Sequence, residues 1–175
     1  MGAPGLLGRL LAAELRLLRL LRTRGHAPAV ERAVLVFTRV GEHGALWQAL
    51  CLAGAAVDRQ RRPLYLRTMR TVMLAYLANI GLKYVVRRKR PELENLPALS
   101  STVTSLSFPS AHSTTSFAAA WALSVGDGRL PKAPVYAVAK AMAASRVYAG
   151  VHYPTDVVAG AALGTALAAL LDGRG

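Results

Sequence analysis

The sequence has one cysteine and few acidic residues, and each shortage narrows the possible protein classes. Cys51 has no second cysteine to pair with, so an internal disulfide is excluded and a small buried apolar residue is expected there. Nine Asp and Glu against 22 Lys and Arg give a formal charge of +13. This charge indicates an anionic partner, which can be nucleic acid, an anionic bilayer or a phosphate-rich substrate.

Linkers and long uncharged runs are also absent. No Pro-, Gly- or Ser-rich stretch divides the 175 residues, which predicts a single domain over residues 1–175. Hydrophobic residues make up 53% of the chain and the mean hydropathy is +0.31, but the uncharged helix cores span roughly 12 to 15 residues, against the ~20 that usually cross a bilayer. Flanking Arg and Lys side chains can extend such helices by snorkelling, and a bilayer can thin locally.

Five such segments in alternation predict an all-α, polytopic membrane helical bundle, with a soluble helical bundle as the alternative. Residues 1–28 form an amphipathic region in which Gly5 to Arg22 interleaves leucines with arginines, which predicts an interfacial helix. A partner-binding helix is the alternative for this region. Residues 29–175 are predicted to form the bundle, with spans over 44–57, 64–86, 113–126, 133–149 and 157–171. No secretory signal is evident, so we expect the mature chain to begin near Met1.

Three short stretches carry the polar side chains that suggest chemistry. Alternating spans place all three stretches on one face of the membrane. They are Lys83 followed after six residues by Arg90-Pro91, the run Pro109-Ser110-Ala111-His112, and Ser145-Arg146 followed by His152 and Asp156. A phosphoryl group in transfer carries negative charge on its equatorial oxygens, which fixed cationic donors stabilise. Lys83, Arg90 and Arg146 supply a point charge and two planar forks.

These motifs resemble the three-part signature of the type 2 phosphatidic acid phosphatase superfamily, which also includes vanadium haloperoxidases. The resemblance implies that His152 attacks phosphorus to form a phosphohistidine and that Asp156 orients His152. His112 is then the general acid and later the base. Phosphate binding is expected from Lys83, Arg90, Ser110, the amide of Ala111, and Arg146. The family usually has glycine where this chain has Ala111, and alanine restricts the backbone there.

Other polar residues are expected to be structural. His26 and His43 lack a metal-ligand pattern and the chain has no acidic cluster suited to magnesium, so neither a metal nor a cofactor is expected. Arg87 to Lys89 are predicted to be an ordinary basic run beside the membrane. Asn79 is expected to bond between helices. Gly160-x3-Gly164 is expected to allow close helix packing inside the monomer, with a dimer seam as the alternative.

The expected substrate has a phosphate at the membrane surface and an acyl or prenyl tail in the bilayer. The short chain, the basic N-terminal helix, Gly41-Glu42-His43 and the run from Lys83 to Pro91 resemble actinobacterial decaprenylphosphoryl-phosphoribose phosphatases, which act in cell-wall arabinan precursor synthesis. Undecaprenyl diphosphate, phosphatidylglycerophosphate and phosphatidic acid remain open as substrates. A rival enzyme class would use Ser110, His152 and Asp156 as an ester-hydrolase triad, although no Gly-x-Ser-x-Gly elbow is present. A non-enzymatic basic membrane protein that binds anionic lipid is a further alternative.

The predicted partners are the bilayer and a membrane lipid phosphate, without nucleic acid, and the oligomeric state is left open. We expect a multi-pass protein of the plasma membrane. Seven arginines precede the first predicted span on the side of Arg87 to Arg90, and eight Arg and Lys lie on the other side. The second group comprises Arg59, Arg61, Arg62, Arg67, Arg70, Arg129, Lys132 and Arg174. Arg90 is excluded from the count because it is expected to bind phosphate. The excess of positive charge on the side of the three motifs is then slight, and it favours a cytoplasmic active site.

Overall fold

The computed structural model describes residues 5–24, 26–125 and 129–173, which include seven α-helices and a short 3-10 turn at Glu42–Gly44. The helices are α1 (Leu6–Thr23), α2 (Pro28–Val40), α3 (Ala45–Val57), α4 (Arg62–Val86), α5 (Ala111–Ser124), α6 (Lys132–Tyr148) and α7 (Pro154–Asp172). The β-structure in the described ranges is one isolated antiparallel bridge between Lys89 and Leu106. The all-α prediction is therefore confirmed, and α3 to α7 match the five predicted segments closely. Gly126, which ends the third predicted span, and Arg174 lie outside the described residues.

Helix α5 lies at the centre of the bundle because its side chains are small. Ala118, Ala119 and Ala120 are fully buried. Against α5 lies α7, where a Cβ added to Gly160 or Gly164 would lie 2.6 Å from the Ser110 carbonyl oxygen or 2.1 Å from that of Thr114. The glycines therefore let two helix backbones touch, and this contact lies inside the monomer as predicted.

A buried hydrogen bond joins α4 to α5, as expected for Asn79. The Asn79 amide donates to Thr114 Oγ1 at 2.9 Å and to the Pro109 carbonyl at 3.2 Å. On the other side of α5, the indole nitrogen of Trp47 in α3 donates to Ser116 Oγ at 2.8 Å. Polar side chains on α5 thus hold its two neighbours in register.

Helix length limits what the fold says about the membrane. Among the described residues, α7 is the one helix that is both long and apolar enough to cross a bilayer. Helix α3 has 13 residues and is about 20 Å long at 1.5 Å per residue, short of the ~30 Å hydrocarbon core. Helix α4 has 25 residues but carries Arg67, Arg70 and Lys83. The five predicted segments are helices, and one of them meets the usual criteria for a span.

Helix α1 exposes both leucines and arginines, and its inner side is partly charged. Five of its leucines are 41% to 84% exposed: Leu6, Leu10, Leu11, Leu17 and Leu20. The buried stripe consists of Glu14, Leu18 and Arg22, which are spaced four residues apart and so share one face. Arg22 donates to the carbonyl of Pro97 at 2.7 Å. Helix α1 therefore contacts the connection between α4 and α5, which carries parts of the first two motifs.

The long connection between α4 and α5 folds back on itself beside α1. The Ser107 amide donates to the Arg88 carbonyl at 2.7 Å and the Arg90 amide to the Ser105 carbonyl at 3.2 Å. Further along, the Leu99 amide donates to the Ala149 carbonyl at 3.0 Å. These bonds bring the first motif, the second motif and the end of α6 to the same end of the bundle.

Candidate active site

A cavity of about 230 Å³ opens at this end of the bundle and is lined by residues of all three motifs. The motif residues on its wall are Lys83, Arg90, Ala111, His112, Arg146 and His152. Ser110 and Asp156 are the two predicted site residues that lie behind the wall, and both are fully buried. The structure thus brings together side chains that are as much as 73 positions apart, from Lys83 to Asp156.

His152 lies in the short connection between α6 and α7, with its two ring nitrogens in different surroundings. Its Nε2 is 3.1 Å from Arg90 Nη1. Because a guanidinium only donates, Nε2 must accept, and the proton of the neutral ring then lies on Nδ1. That Nδ1 is 3.5 Å from Asp156 Oδ2. Burial, followed by the charges of Arg90, Arg146 and Lys83, holds the pKa of His152 well below its ordinary value. His152 is therefore a neutral base with its lone pair at Nε2.

Asp156 occupies the first turn of α7, and its carboxylate is held on both oxygens. Oδ2 accepts the Tyr153 amide at 2.9 Å, which satisfies a backbone N–H at the start of the helix. Oδ1 accepts from Arg88 at 2.8 Å. The Asp156 carbonyl in turn accepts the Ser110 amide at 3.0 Å, which ties the start of α7 to the start of α5. Two hydrogen bonds therefore fix the carboxylate, and a third fixes the backbone that carries it.

Lys83 and Arg90 are held by neutral carbonyl groups. Lys83 Nζ donates to the carbonyls of Leu106 and Ser107 at 3.3 Å and to that of Pro109 at 2.8 Å. Arg90 donates to the carbonyls of Thr104 at 2.8 Å and Val151 at 2.7 Å. Burial lowers the pKa of Arg90 to about 10, so the group stays cationic at neutral pH. Because carbonyls carry no net charge, this positive charge remains available to an anion.

Thr38 of α2 connects the third cation with the second histidine. Arg146 Nη1 donates to Thr38 Oγ1, while Arg146 Nε is buried without a hydrogen-bond partner. His112 Nε2 donates to the Thr38 carbonyl at 3.0 Å, since a carbonyl oxygen only accepts. The neutral His112 ring then has its lone pair on Nδ1. A histidine in this state can take a proton from water and return one to a leaving group.

The second motif begins α5 at the cavity. Ala111 is the first helical residue, and the non-glycine residues with positive φ in the described chain are His43, Arg87 and Asn95. Ala111 therefore has a backbone conformation open to alanine, so the family's usual glycine is not required there. The N–H groups of a helix N-terminus favour an anion. Beside Ala111, the Ser110 Oγ is buried without a hydrogen-bond partner.

Several residues of this region differ from their predicted roles. The prediction that Arg88 belongs to an ordinary basic run was wrong, because its guanidinium pairs with Asp156 and Glu14. His43, expected to be structural, lines the cavity beside Glu42, with its ring edge-on to Tyr76 at 5.5 Å. His26 stacks on Tyr148 at 4.2 Å and is structural as expected.

Sequence reasoning also missed Glu14 and Thr38. A signal for Glu14 existed, because it is the one acidic residue in the Leu- and Arg-rich helix α1. Thr38 offered no such signal, since a threonine in an amphipathic helix is unremarkable. In the part of the chain that the structure describes, no three His, Cys, Asp or Glu side chains are arranged to hold a metal ion.

The family model described as the PAP2 superfamily matches residues 64–171, more than half of the chain. The chain belongs to the PAP2 superfamily. This membership confirms the resemblance inferred from the three motifs. Together with the named relatives below, it also confirms the predicted class, a phosphoric monoester hydrolase.

Relatives within the PAP2 superfamily include two proteins named decaprenylphosphoryl-5-phosphoribose phosphatase. The protein from Mycolicibacterium smegmatis is 42% identical over 133 residues, which cover 76% of this chain and 72% of the relative. The protein from Mycobacterium tuberculosis is 40% identical over 135 residues, which cover 77% of this chain and 75% of the relative.

Two solved structures share the fold. The crystal structure of LpxE from Aquifex aeolicus has a TM-score of 0.75 and 26% identity, covering 91% of this chain and 94% of that one. A transmembrane PAP2-type phosphatidylglycerolphosphate phosphatase from Bacillus subtilis has a TM-score of 0.78 and 24% identity, covering 95% and 86%. The PAP2 helical arrangement therefore extends beyond residues 64–171 to nearly the whole chain.

Proposed function

We propose that this chain is a metal-independent membrane phosphatase that hydrolyses a phosphomonoester of a polyprenyl lipid, and that its substrate is decaprenylphosphoryl-5-phosphoribose. The observation that carries the proposal is the cavity in which the lone pair of His152 faces the cationic side chains of Lys83, Arg90 and Arg146. The lipid and its sugar phosphate are taken from the two named relatives, which are 40% and 42% identical to this chain.

In the first half of the reaction, His152 Nε2 attacks phosphorus. The P–N bond forms while the ester P–O bond breaks, and His112 gives the leaving oxygen the Nδ1 proton that it took from water in the preceding turnover. Asp156 Oδ2 lies 3.5 Å from the unpartnered Nδ1 and closes to accept a hydrogen bond from Nδ1–H as substrate binds, which keeps the lone pair on Nε2 and stabilises the positive ring. The products of this half are the dephosphorylated lipid and a phosphohistidine.

In the second half, water attacks the phosphohistidine. His112, now neutral, takes a proton from water, the P–N bond breaks, and inorganic phosphate leaves with His152 restored. Lys83, Arg90 and Arg146 stabilise the equatorial oxygens in both halves. The amide of Ala111 and the hydroxyl of Ser110 supply further donors. Arg90 must turn from His152 Nε2 to a phosphate oxygen when substrate enters, which frees the lone pair for attack.

Glu42 supports a sugar between the phosphate and the lipid. It is half-buried on the wall of a cavity whose other charged groups are Lys83, Arg90 and Arg146. A carboxylate only accepts hydrogen bonds, so it repels a phosphate and suits a group with hydroxyl donors. Tyr76 and His43 line the same part of the cavity and offer ring surfaces. These groups fit a phosphorylated polyol better than a bare diphosphate.

The membrane arrangement is a further part of the proposal. The exposed leucines of α1 and the exposed apolar side chains of the other helices suit an interfacial helix on a five-span bundle. Spans as short as α3 require local bilayer thinning or flanking Arg and Lys side chains at the head groups. We further propose that residues 1–175 act as one domain in the plasma membrane and that the site faces the cytoplasm.

Phosphate release from purified protein in lipid vesicles tests the proposed function. We expect inorganic phosphate from decaprenylphosphoryl-5-phosphoribose in the presence of EDTA, inhibition by vanadate, and no release by His152→Ala. His26→Ala is the matched control and should retain activity, because its ring contacts Tyr148 and Glu31 away from the cavity. Acid quenching should trap labelled phosphate on the wild type and leave His152→Ala unlabelled.

The same assay separates the alternatives. Faster release from prenyl diphosphate, phosphatidylglycerophosphate or phosphatidic acid would reassign the substrate. Fatty acid release would favour the Ser110 ester-hydrolase triad, which the structure disfavours because Ser110 Oγ has no hydrogen bond to His152. Release of neither inorganic phosphate nor fatty acid would favour the alternative of a non-enzymatic protein that binds anionic lipid.

A further inference from the structure

Glu14 is a buried carboxylate in a helix that otherwise exposes leucine and arginine. Its side chain is 5% exposed, although α1 lies at the surface and the nearby Ala13 and Arg16 are exposed. Burying a carboxylate is costly unless it is paired and hydrogen-bonded. Glu14 is paired on both oxygens, and all of its partners come from the segments that carry the site.

One oxygen of Glu14 holds the start of α7. Oε1 accepts the Thr155 amide at 2.9 Å and the Thr155 hydroxyl at 2.6 Å. Thr155 is the residue immediately before Asp156, and its amide belongs to the first turn of α7, where N–H groups lack helical partners. Glu14 therefore fixes the backbone from which Asp156 projects.

The other oxygen of Glu14 holds Arg88. Arg88 Nη2 donates to Glu14 Oε2 at 2.8 Å, while Nη1 donates to Asp156 Oδ1 at 2.8 Å and to Thr155 Oγ1 at 2.7 Å. The guanidinium also lies 3.8 Å from the centre of the Tyr153 ring. A planar fork held by two carboxylates and one ring face has little freedom to turn.

The two routes from Glu14 meet at the carboxylate that faces His152. With Arg88 on Oδ1, Asp156 presents Oδ2 to His152 Nδ1 at 3.5 Å. Without Glu14, Arg88 would have one carboxylate partner instead of two, and it could draw Asp156 outward, away from His152. Glu14 lies outside the cavity lining, so its loss should leave phosphate binding intact.

We propose that Glu14 of α1 is a positioning residue for the phosphatase reaction, which holds Asp156 toward His152 through Arg88 and Thr155. The inference rests on the proposed function, since it assigns Glu14 a part in the same histidine chemistry. It makes the N-terminal helix part of the catalytic apparatus in addition to its membrane contact. Loss of the Glu14 carboxylate should therefore alter turnover without altering substrate affinity.

The test compares Glu14→Gln with Glu31→Gln in full-length protein in vesicles. Glu31 is the matched control, because it is also a glutamate of the N-terminal region that pairs with a basic side chain. Its partner is His26, at 2.6 Å. We expect Glu14→Gln to lower kcat about 10-fold or more, comparable to the loss when a residue that orients a metal-binding histidine is removed. KM and the inhibition constant of inorganic phosphate should change less than about twofold, and Glu31→Gln should match the wild type.

A double-mutant cycle tests the route through Arg88. Arg88→Lys keeps the charge but loses the fork, and Glu14→Gln combined with Arg88→Lys should lose less activity than the sum of the two single losses, because the two residues share one of the two routes to Asp156. Unchanged kcat in Glu14→Gln, equal losses in Glu14→Gln and Glu31→Gln, or additive losses in the cycle would overturn the inference. A wild type that releases no phosphate would instead overturn the proposed function.

A folding defect is separated from a positioning effect by a second variant. Melting temperature is measured for each protein, and kcat is taken on the folded, monodisperse fraction. If Glu14→Gln does not fold, Thr155→Val replaces it, because this change removes the hydroxyl that both Glu14 and Arg88 contact. A lower kcat with unchanged KM is expected, and a wild-type kcat contradicts the inference.

Discussion

Replacement of Asp156 by asparagine tests how the histidine tautomer is set. Asparagine keeps the shape but has one acceptor oxygen where aspartate has two, and its amide nitrogen donates. In the wild type, both oxygens accept: Oδ1 from Arg88 and Oδ2 from the Tyr153 amide, with His152 Nδ1 at 3.5 Å. In Asp156→Asn, one orientation places NH₂ against Arg88, and the other places it against His152 and the Tyr153 amide.

Either orientation should disable His152. An amide NH₂ that faces the ring favours the tautomer with its lone pair on Nδ1 and its proton on Nε2, which removes the nucleophile. An amide NH₂ that faces Arg88 breaks a charged hydrogen bond and releases the side chain. In a serine-protease triad the equivalent change costs about 10⁴-fold in kcat, or about 5.4 kcal/mol at 1.36 kcal/mol per tenfold. We expect a loss on the order of 10³- to 10⁴-fold for Asp156→Asn.

Stability should fall far less than activity. The lost charged hydrogen bond to Arg88 is worth about 1.5–3 kcal/mol, and the partial exposure of Arg88 places the effect toward the lower value. Asp58→Asn is the matched control, since Asp58 pairs with exposed Arg61 in the α3–α4 turn. Phosphate release and acid-trapped phosphohistidine are measured for both. An Asp156→Asn enzyme within tenfold of the wild type would refute the assigned role of Asp156.

Two further predictions concern charge in the cavity. Burial and the neighbouring cations lower the pKa of His152, so the nucleophile should stay neutral below pH ~6.5, the ordinary histidine pKa. Arg90→Gln removes one of these cations, so the acidic limb of the kcat/KM profile of this variant should move to higher pH. An unmoved limb would contradict this. Glu42→Gln should lower kcat/KM for prenyl-phosphoribose about tenfold, the value of one hydrogen bond to a charged group. The same variant should hydrolyse phosphatidic acid at nearly the wild-type rate, and the exposed control Glu94→Gln should match the wild type on both substrates. Equal losses of Glu42→Gln on both substrates would instead make Glu42 a partner of Arg146.

The positions of the helices were predictable because their signals are local. Charged blocks, Pro63 and Pro154 near helix starts, and Gly150 after α6 mark boundaries that depend on neighbouring residues alone. The spacing of each motif is likewise a local property. Alternation of the helices then sufficed to predict that Lys83, His112 and His152 would meet at one end of the bundle.

The number of membrane spans was harder to predict, because it depends on the surroundings of each helix. Hydropathy counts a buried residue and a lipid-facing residue alike, yet α5 is mostly buried and its Thr114 and Thr115 hydroxyls donate to backbone carbonyls inside the bundle. By composition and length, α7 is the described helix that meets the criteria for a span. Sequence therefore determined five helices, and their relation to the bilayer rests on tertiary packing.

The partners of buried charges were decided by the tertiary structure alone. Arg88 lies in a run of four basic residues, where nothing nearby distinguishes it from Arg87 or Lys89, yet it meets Glu14 from 74 positions away. Thr38 contacts Arg146 across 108 positions. The sequence alone determined which residues could perform phosphoryl transfer, because composition and spacing are local. The folded chain decided which carboxylate and hydroxyl would hold them, because those pairings exist only once α1 and α2 rest on the bundle.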